Sequence, residues 1–213
     1  NQNQSDFHHE IQISLKDFLT RIYMSKRIFD ILFSIIGLLF IGWIILLFFI
    51  LATIDTKQNG FFIQERIGRH GKKFKIYKLR TIKSDRFGKP MISFLGNFLR
   101  KSKIDEFPQL YNVLINDMSF VGPRPDVAGY YDLLEGENRK LLTLKPGITS
   151  PASLVYRNED FILLEHQNPK EYNDDVIFPD KIKLNLEYYY NHSFFGDIVI
   201  IIKTVLGIKS STL

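Results

Sequence analysis

The sequence predicts an α+β protein, in which a small mixed domain carries an N-terminal membrane helix and amphipathic helices at the membrane surface. Two observations predict this class. A long uncharged apolar run lies in the N-terminal third, and the polar remainder contains both a strand-like alternation and a helical apolar repeat. The 213 residues suffice for one domain and an anchor. We therefore divide the chain into a polar N-terminal tail with an interfacial segment (1–25), a membrane helix (26–56) and a mixed domain that ends in an interfacial helix (57–213).

The composition narrows the classes of function. The formal net charge of +5 suits a chain that meets anionic lipid headgroups, phosphorylated substrates or nucleic acid. Cysteine is absent, which excludes disulfide frameworks, thiolate nucleophiles and cysteine-based zinc sites. Nucleic-acid binding lacks a clustered basic helix or an RNA-type aromatic motif, so we expect no nucleic-acid partner.

The apolar run Ile31–Ile54 contains 24 residues without a charge, enough to cross a hydrocarbon core of roughly 30 Å. Lys26 and Arg27 precede it, and a larger basic cluster follows it. Because basic flanks prefer the cytoplasm, this pattern favours a re-entrant helix that enters one leaflet, breaks near Gly42 and returns. A plain transmembrane helix with the larger cluster inside is the alternative.

Three further elements follow from local patterns. Phe61 to Arg80 alternates apolar and basic residues around His70 and Gly71, which predicts a two-stranded hairpin or a loop with one extended element. Ser102 to Glu106 resembles a helix start, with Pro108 in the first turn and an end near Asn116. The apolar residues from Phe194 to Leu206 recur with helical spacing, which indicates an interfacial helix or an ordinary core-facing one.

Asp105 and Glu106 are the candidate reactive groups. Carboxylates at a helix start can share a site with a phosphate, especially with Mg²⁺ between them, and an aspartate can attack phosphorus to form an acyl phosphate. Taken alone, such a pair is more often a stabiliser of the first helical turn.

Basic residues could hold the anion. Arg124 lies between Pro123 and Pro125 on a stiff backbone, which limits the entropy lost when the guanidinium binds a phosphate at two points. Arg100 precedes Asp105 by five residues. Lys78 and Arg157 are weaker candidates, since each residue, taken singly, is more often a surface charge.

Several motifs in one order resemble the bacterial sugar transferase family, the monotopic phosphoglycosyl transferases. The resemblance covers Lys26 to about Ile208. It rests on Lys26-Arg-Ile-Phe-Asp30, Phe62-Ile-Gln-Glu-Arg-Ile-Gly68, Phe74-Lys-Ile-Tyr-Lys-Leu-Arg-Thr81, Asp105-Glu-Phe-Pro-Gln-Leu-Tyr-Asn-Val-Leu114, Asp117-Met-Ser-Phe-Val-Gly-Pro-Arg-Pro125 and Lys145-Pro-Gly-Ile-Thr149.

The resemblance implies an enzyme on the cytoplasmic face of the bacterial inner membrane, in contact with membrane lipid and dependent on Mg²⁺. Residues 57–213 would then form its cytoplasmic catalytic domain. Asp105 would attack the β-phosphate of a UDP-sugar and release UMP, after which undecaprenyl phosphate, a polyprenol phosphate, would collect the phosphosugar. Glu106 would assist with the metal or with protons, with both Asp105 and Glu106 as metal ligands. Arg124 with its flanking prolines, Arg100, Lys78 and Arg157 would bind substrate. A homo-oligomer is compatible with the pattern.

This chain departs from the family pattern in two places. Many members break the membrane helix at a Ser-Pro pair, where this chain has Gly42-Trp43, and Ser153 stands where a glutamine is usual. The second departure predicts a distinct sugar pocket. The competing hypothesis is a membrane-tethered binding or scaffold protein that uses its basic surface and has no need of Asp105.

Overall fold

The N-terminal quarter of the chain is one long helix. The computed structural model describes residues 2–208, and the side chains of residues 24–159 and 162–208. Helix α1 spans Gln2–Thr56, so the interfacial segment predicted within residues 1–25 lies almost wholly outside the described side chains. The helix continues through Gly42 and Trp43, and the break predicted there is not seen. Glycine weakens a helix but, unlike proline, keeps its N–H, so the hydrogen-bond ladder can continue.

One face of α1 packs against the rest of the chain along its length. Asp30, Ser34, Ala52 and Thr56 on this face are at most 6% exposed. From Asp30 to Thr56 the helix rises about 39 Å, so the domain contacts both ends of the apolar segment.

The opposite face of α1 is apolar and uncovered. Among the described residues, Met24–Thr56 is the helix long and apolar enough to cross a membrane, and 11% of its most apolar window is buried. The exposed face carries Leu32, Phe33, Ile36, Leu39, Phe40, Trp43, Leu46, Leu47, Ile50 and Ile54.

Three two-stranded sheets follow the helix. Strands β1 (Phe61–Ile67) and β2 (Lys73–Leu79) pair antiparallel, with Phe61 opposite Leu79, which confirms the predicted hairpin. Strands β3 (Ile82–Ser84) and β4 (Pro90–Ile92) form a second antiparallel hairpin. Strands β5 (Ser119–Val121) and β6 (Gly147–Thr149) pair in parallel. The chain is thus mixed α and β, as predicted.

Short helices fill the space around these sheets. They are α2 (Phe94–Ser102), α3 (Gln109–Leu114), α4 (Pro151–Val155), α5 (Glu159–Leu164), α6 (Pro169–Tyr172), α7 (Phe178–Asn191) and α8 (Phe194–Leu206). Segments of 3-10 helix lie at Arg69–Gly71, Ile104–Glu106, Tyr131–Leu133 and Gly136–Thr143, and a π-helical turn spans Asn173–Ile177.

Helix α8 combines the two alternatives left open by the sequence. Asp197 and Ile200 on one face are buried against the domain, whereas Phe195 and Val205 on the other are each 79% exposed. Gly207 ends the helix in the left-handed conformation. The helix therefore packs on the core and also presents an apolar surface, as an interfacial helix does.

The core consists of three apolar clusters that connect the small elements. One joins β1 to α7 and the turns between β5 and β6, one joins β5, α4, α7 and α8, and one joins β2 to α3 and the start of β5. Their buried members are Ile67, Tyr131, Leu134, Leu141, Leu142 and Ile182; Val121, Leu154, Tyr188 and Ile200; and Ile76, Val113 and Met118.

Candidate active site

Asp105 lies in a single 3-10 turn between two helices. Lys103, at φ 59°, ends α2 in the left-handed conformation and begins the turn Ile104–Glu106. The sequence predicted the start of an α-helix here, but α3 begins only at Gln109. Pro108 has no N–H to join a longer helical ladder, so the chain makes an isolated turn first. Asp105 therefore lacks the full dipole of an α-helix N-terminus.

The carboxylate of Asp105 is buried and incompletely bonded. Asp105 is 8% exposed, and its Oδ1 has no hydrogen-bond partner within the described part of the chain. Burial, together with the neighbouring charge of Glu106, raises the pKa of Asp105 to about 6, although Lys78, Lys103 and Arg100 oppose the rise. Asp105 is thus mostly ionised at neutral pH, but more basic than an ordinary aspartate.

Glu106 is held by two cations. Arg124 Nη1 donates to Glu106 Oε2 at 3.1 Å, Arg124 Nη2 donates to Oε1, and Lys78 Nζ donates to Oε1 at 3.1 Å. Burial alone would raise the pKa of Glu106, but the charges of Arg124 and Lys78 outweigh it and hold the pKa well below its usual range. Adjacent carboxylates therefore have opposite characters, one more basic than usual and one permanently charged.

Arg124 retains donors for a ligand. Its guanidinium carries five N–H groups. The two hydrogen bonds to Glu106 occupy only some of these groups. The Arg124 side chain is 40% exposed, against 11% for Glu106. The charge of Glu106 raises the pKa of Arg124, so its positive charge is permanent. A salt-bridged arginine with free donors at the surface of a site is suited to a phosphate group.

The backbone around Arg124 is fixed by close packing between the parallel strands. Gly122 N–H donates to Thr149 O at 3.0 Å, and Gly147 N–H donates to Pro123 O at 2.9 Å. A Cβ on Gly122 would lie 2.2 Å from Lys145 O, so only glycine fits there. Pro123 and Pro125 are themselves buried. The two prolines therefore anchor the backbone on either side of Arg124, and we infer that any contact with substrate comes from the arginine between them.

Lys78 and Arg100 approach the carboxylates from different elements. Lys78 lies on β2, where burial lowers its pKa although Glu106 opposes the change. Arg100 lies on α2 and its Nε donates to Thr81 Oγ1 at 3.0 Å. Both charges act on Asp105. The structure thus places Lys78, Arg100 and Arg124 where their charges act on the Asp105–Glu106 pair. The roles of these residues in catalysis and substrate binding stay predictions.

The hydrogen bond that Arg157 makes in the described structure lies outside this group of residues. Its Nη1 donates to Thr204 O at 3.0 Å, near the C-terminal end of α8. A Cβ on Gly207 would lie 3.5 Å from Arg157 Nη2. A guanidinium at this position stabilises the carbonyl end of the helix. Its predicted contact with substrate therefore stays a prediction.

Two further polar residues, Arg66 on β1 and Gln109 at the start of α3, lie on elements next to the Asp105–Glu106 turn. Arg66 on β1 pairs with Asp126 at 3.5 Å, and its buried Nε has no partner within the described residues. Gln109 is 1% exposed and its Nε2 also lacks a partner there. Neither Arg66 nor Gln109 was predicted from the sequence as a site residue. The alternation of side chains along β1 could have identified Arg66, because the β1–β2 register places Arg66 on the same face of the hairpin as Lys78.

The site lies directly beside the apolar helix. Arg27 donates from Nη1 to Val113 O at 2.7 Å and from Nη2 to Leu114 O at 2.8 Å, which joins α1 to the end of α3. A Cβ on Gly37 would lie 3.0 Å from Leu110 Cδ1. Helix α3, which follows the turn that carries Asp105, therefore packs against the first half of the apolar run.

Comparison with known proteins identifies the family of this chain. Residues 21–210 match the family model for bacterial sugar transferases. The chain is 31% identical over 215 residues to the galactosyl transferase CpsE of Streptococcus agalactiae, covering 92% of this chain and 44% of that protein. It is 34% identical over 187 residues to the sugar transferase EpsL of Bacillus subtilis, covering 84% and 85%.

A third relative carries the lipid acceptor in its name. The undecaprenyl-phosphate galactose phosphotransferase of Salmonella typhimurium is 30% identical over 207 residues, covering 84% of this chain and 39% of that protein. The chain thus spans less than half the length of two of the three relatives. The match over 21–210 includes the apolar helix, the hairpins and the carboxylate pair, and it shows that the chain belongs to the bacterial sugar transferase family.

Proposed function

We propose that this chain transfers a phosphosugar from a UDP-sugar to undecaprenyl phosphate through a covalent intermediate on Asp105. The observation that carries the proposal is the buried Asp105 carboxylate, whose Oδ1 has no partner among the described residues and whose pKa is raised to about 6. The name of the Salmonella relative supplies the class of acceptor. Family membership supplies the sugar transfer.

The reaction divides into two displacements. An oxygen of Asp105 bonds to the β-phosphorus of the donor, the bond from that phosphorus to the bridging oxygen breaks, and UMP leaves with the electron pair. A phosphate oxygen of the acceptor then attacks the same phosphorus, and the carboxylate of Asp105 is released. Covalent catalysis of this kind replaces one difficult transfer by two easier ones.

Arg124 and Lys78 are the residues we assign to the phosphates. Both are held by Glu106, so their positions are set before the donor arrives and little entropy is lost on binding. Pre-organised cations favour the charge that develops on the transferred phosphoryl group. We assign Glu106 to the positioning of these two cations.

Mg²⁺ fits this site through Asp105. The unpartnered Oδ1 of Asp105 is an oxygen ligand of the kind Mg²⁺ prefers. Oxygens of Glu106 already accept from Lys78 and Arg124, so Glu106 is the weaker candidate ligand. No group of three or more histidine or acidic side chains that could hold a metal occurs in the described chain, so donor phosphates would complete the shell. When bound, the ion would neutralise phosphate charge.

We place the enzyme on one face of the membrane, the cytoplasmic one. Both ends of the apolar segment contact the same domain, since Arg27 binds α3 and Asp55 lies 3.1 Å from Lys83 of β3. A helix that crossed the bilayer would carry one end away from that domain. Basic residues flank both ends, which favours the cytoplasm. These contacts support a topology in which both ends of α1 stay on one face of the membrane, without the break expected near Gly42. Labelling from the periplasm of a cysteine introduced into the N-terminal segment would refute it.

The test of the chemistry compares Asp105→Asn with the wild type. Each protein is incubated with Mg²⁺, undecaprenyl phosphate and a panel of UDP-sugars, and UMP release is measured. We expect one preferred donor for the wild type and loss of release for Asp105→Asn, with membrane association unchanged. Unimpaired release by Asp105→Asn would refute the covalent mechanism. Absence of release by the wild type with every donor would favour the scaffold hypothesis.

A further inference from the structure

The β3–β4 hairpin carries apolar side chains that the described part of the molecule leaves uncovered. Phe87 in its turn is 88% exposed, and Phe94, two residues after β4, is 93% exposed. Ile82, Met91 and Ile92 on the strands are between 41% and 45% exposed. An isolated two-stranded hairpin is only marginally stable in water. Clustered apolar exposure of this kind marks an interaction surface.

The turn is built to present Phe87. The Asp85 side chain accepts the N–H groups of Phe87 and Lys89, each at 2.8 Å. The Asp85 N–H donates to Lys89 O at 2.8 Å, and Gly88 adopts a φ of 79°, which favours glycine. The exposure of Phe87 therefore belongs to an ordered turn.

The hairpin adjoins the end of the membrane segment. Lys83 Nζ lies 3.1 Å from Asp55 Oδ1, immediately after the apolar run. The ring of Phe98 on α2 lies 6.0 Å from that of Phe48 on α1. The hairpin thus lies next to the end of the apolar run, and α2 packs against the same helix.

The charge of the hairpin matches an anionic surface. Residues 82–92 contain Lys83, Arg86 and Lys89 against a single acid, Asp85. The carboxylate of Asp85 already accepts two backbone N–H groups of the turn. Arg86 and Lys89 flank Phe87 on either side of the turn, the arrangement of aromatic and basic residues found at membrane interfaces.

We propose that this hairpin and the start of α2 form a second membrane contact, with Phe87 and Phe94 in the headgroup region of an anionic phospholipid bilayer. Arg86 and Lys89 then lie beside lipid phosphates. Together with α1 this contact gives the domain two separate points of attachment. The reactive turn, between α2 and α3, is thereby held at a fixed height above the bilayer.

The experiment uses the full chain with a single tryptophan. Trp43 is the one tryptophan, so a Trp43→Phe background carries either Phe87→Trp or the control Leu164→Trp. Leu164 ends α5 and is 79% exposed, which matches Phe87 in exposure. Each protein is placed, one chain per disc, in nanodiscs of phosphatidylcholine with phosphatidylglycerol. We expect acrylamide to quench the tryptophan at 87 several-fold less than the one at 164, and acyl-brominated lipid to quench only the former.

Three results would overturn the proposal. The first is equal acrylamide quenching at positions 87 and 164. The second is protection of position 87 that appears only when a UDP-sugar is added, which would make the hairpin a cover for the donor. The third is protection that requires two chains in one disc, which would make it an interface between copies. The readout needs no turnover, so it stands apart from the test of the chemistry.

A separate comparison tests how the charges of Arg86 and Lys89 contribute to the membrane contact. Reversing both basic residues, Arg86→Glu with Lys89→Glu, should raise the quenching of the tryptophan at 87 several-fold in discs that contain phosphatidylglycerol. In pure phosphatidylcholine the same change should have little effect. Equal quenching of the parent and the charge-reversed protein in both kinds of disc would overturn the requirement for anionic lipid.

Discussion

Neutralising Asp105 should stabilise the folded protein while it abolishes transfer. The pKa of this carboxylate rises from 3.8 to about 6 on folding, chiefly through burial. Since one pKa unit corresponds to about 1.4 kcal/mol, the ionised form costs about 3 kcal/mol of folding free energy at neutral pH. Asp105→Asn removes this charge, so we expect an increase in the free energy of unfolding of up to about 3 kcal/mol.

Glu106→Gln is the matched control, because it makes the same chemical change one residue away. The charges of Lys78 and Arg124 hold the pKa of Glu106 well below its usual range. Removing the negative charge leaves two partly buried cations without their partner. We therefore expect Glu106→Gln to lower the free energy of unfolding, by about 3 kcal/mol.

Thermal and denaturant unfolding of the purified proteins in one detergent measures both effects. The sign also depends on pH. A carboxyl whose pKa is raised on folding destabilises the folded protein fully above about pH 6. The difference in the free energy of unfolding between wild type and Asp105→Asn should therefore disappear as pH falls from about 6 to about 4. For a chain of this size, 3 kcal/mol corresponds to roughly 6–12 °C in Tm. A lower Tm for Asp105→Asn at neutral pH, or a higher one for Glu106→Gln, would refute the reasoning.

Two further predictions concern the pH dependence and the end of α8. The initial rate of UMP release should fall with decreasing pH, because only ionised Asp105 can attack phosphorus. The fall should begin below about pH 6, since a bound Mg²⁺ would lower the pKa of Asp105; a rate that increases as pH decreases would contradict this role. Arg157→Met should lower the free energy of unfolding by about 1 kcal/mol, because it removes the hydrogen bond to Thr204 O. A clearly raised KM for the donor would support the predicted contact of Arg157 with substrate, and an unchanged KM would contradict it.

Elements with a local signal were predictable. The β1–β2 hairpin and α8 follow from periods of two and of about four residues, which depend only on neighbouring side chains. The isolated turn around Asp105 was not predicted, because it results from the left-handed conformation of Lys103 together with a proline after it. The continuity of α1 through Gly42 was also not predicted, since a glycine permits a break without requiring one.

The candidate site shows the same division. The motifs identified Asp105, Glu106 and Arg124, and the order of the motifs indicated the family. The pairing of Glu106 with Lys78 and Arg124 joins residues 28 and 18 positions apart, and no local pattern encodes such a contact. The same is true of the ion pair between Arg66 and Asp126.

The sequence alone was enough to predict the apolar segment, its basic flanks and the candidate carboxylates Asp105 and Glu106, because hydropathy, charge and motif order are properties of consecutive residues. The different chemistry of Asp105 and Glu106 was not. Two adjacent acids are equivalent in the unfolded chain, and they diverge only when folding buries one without a partner and brings Lys78 and Arg124 to the other. Burial and long-range charge, which set these pKa values, arise only when distant segments pack together.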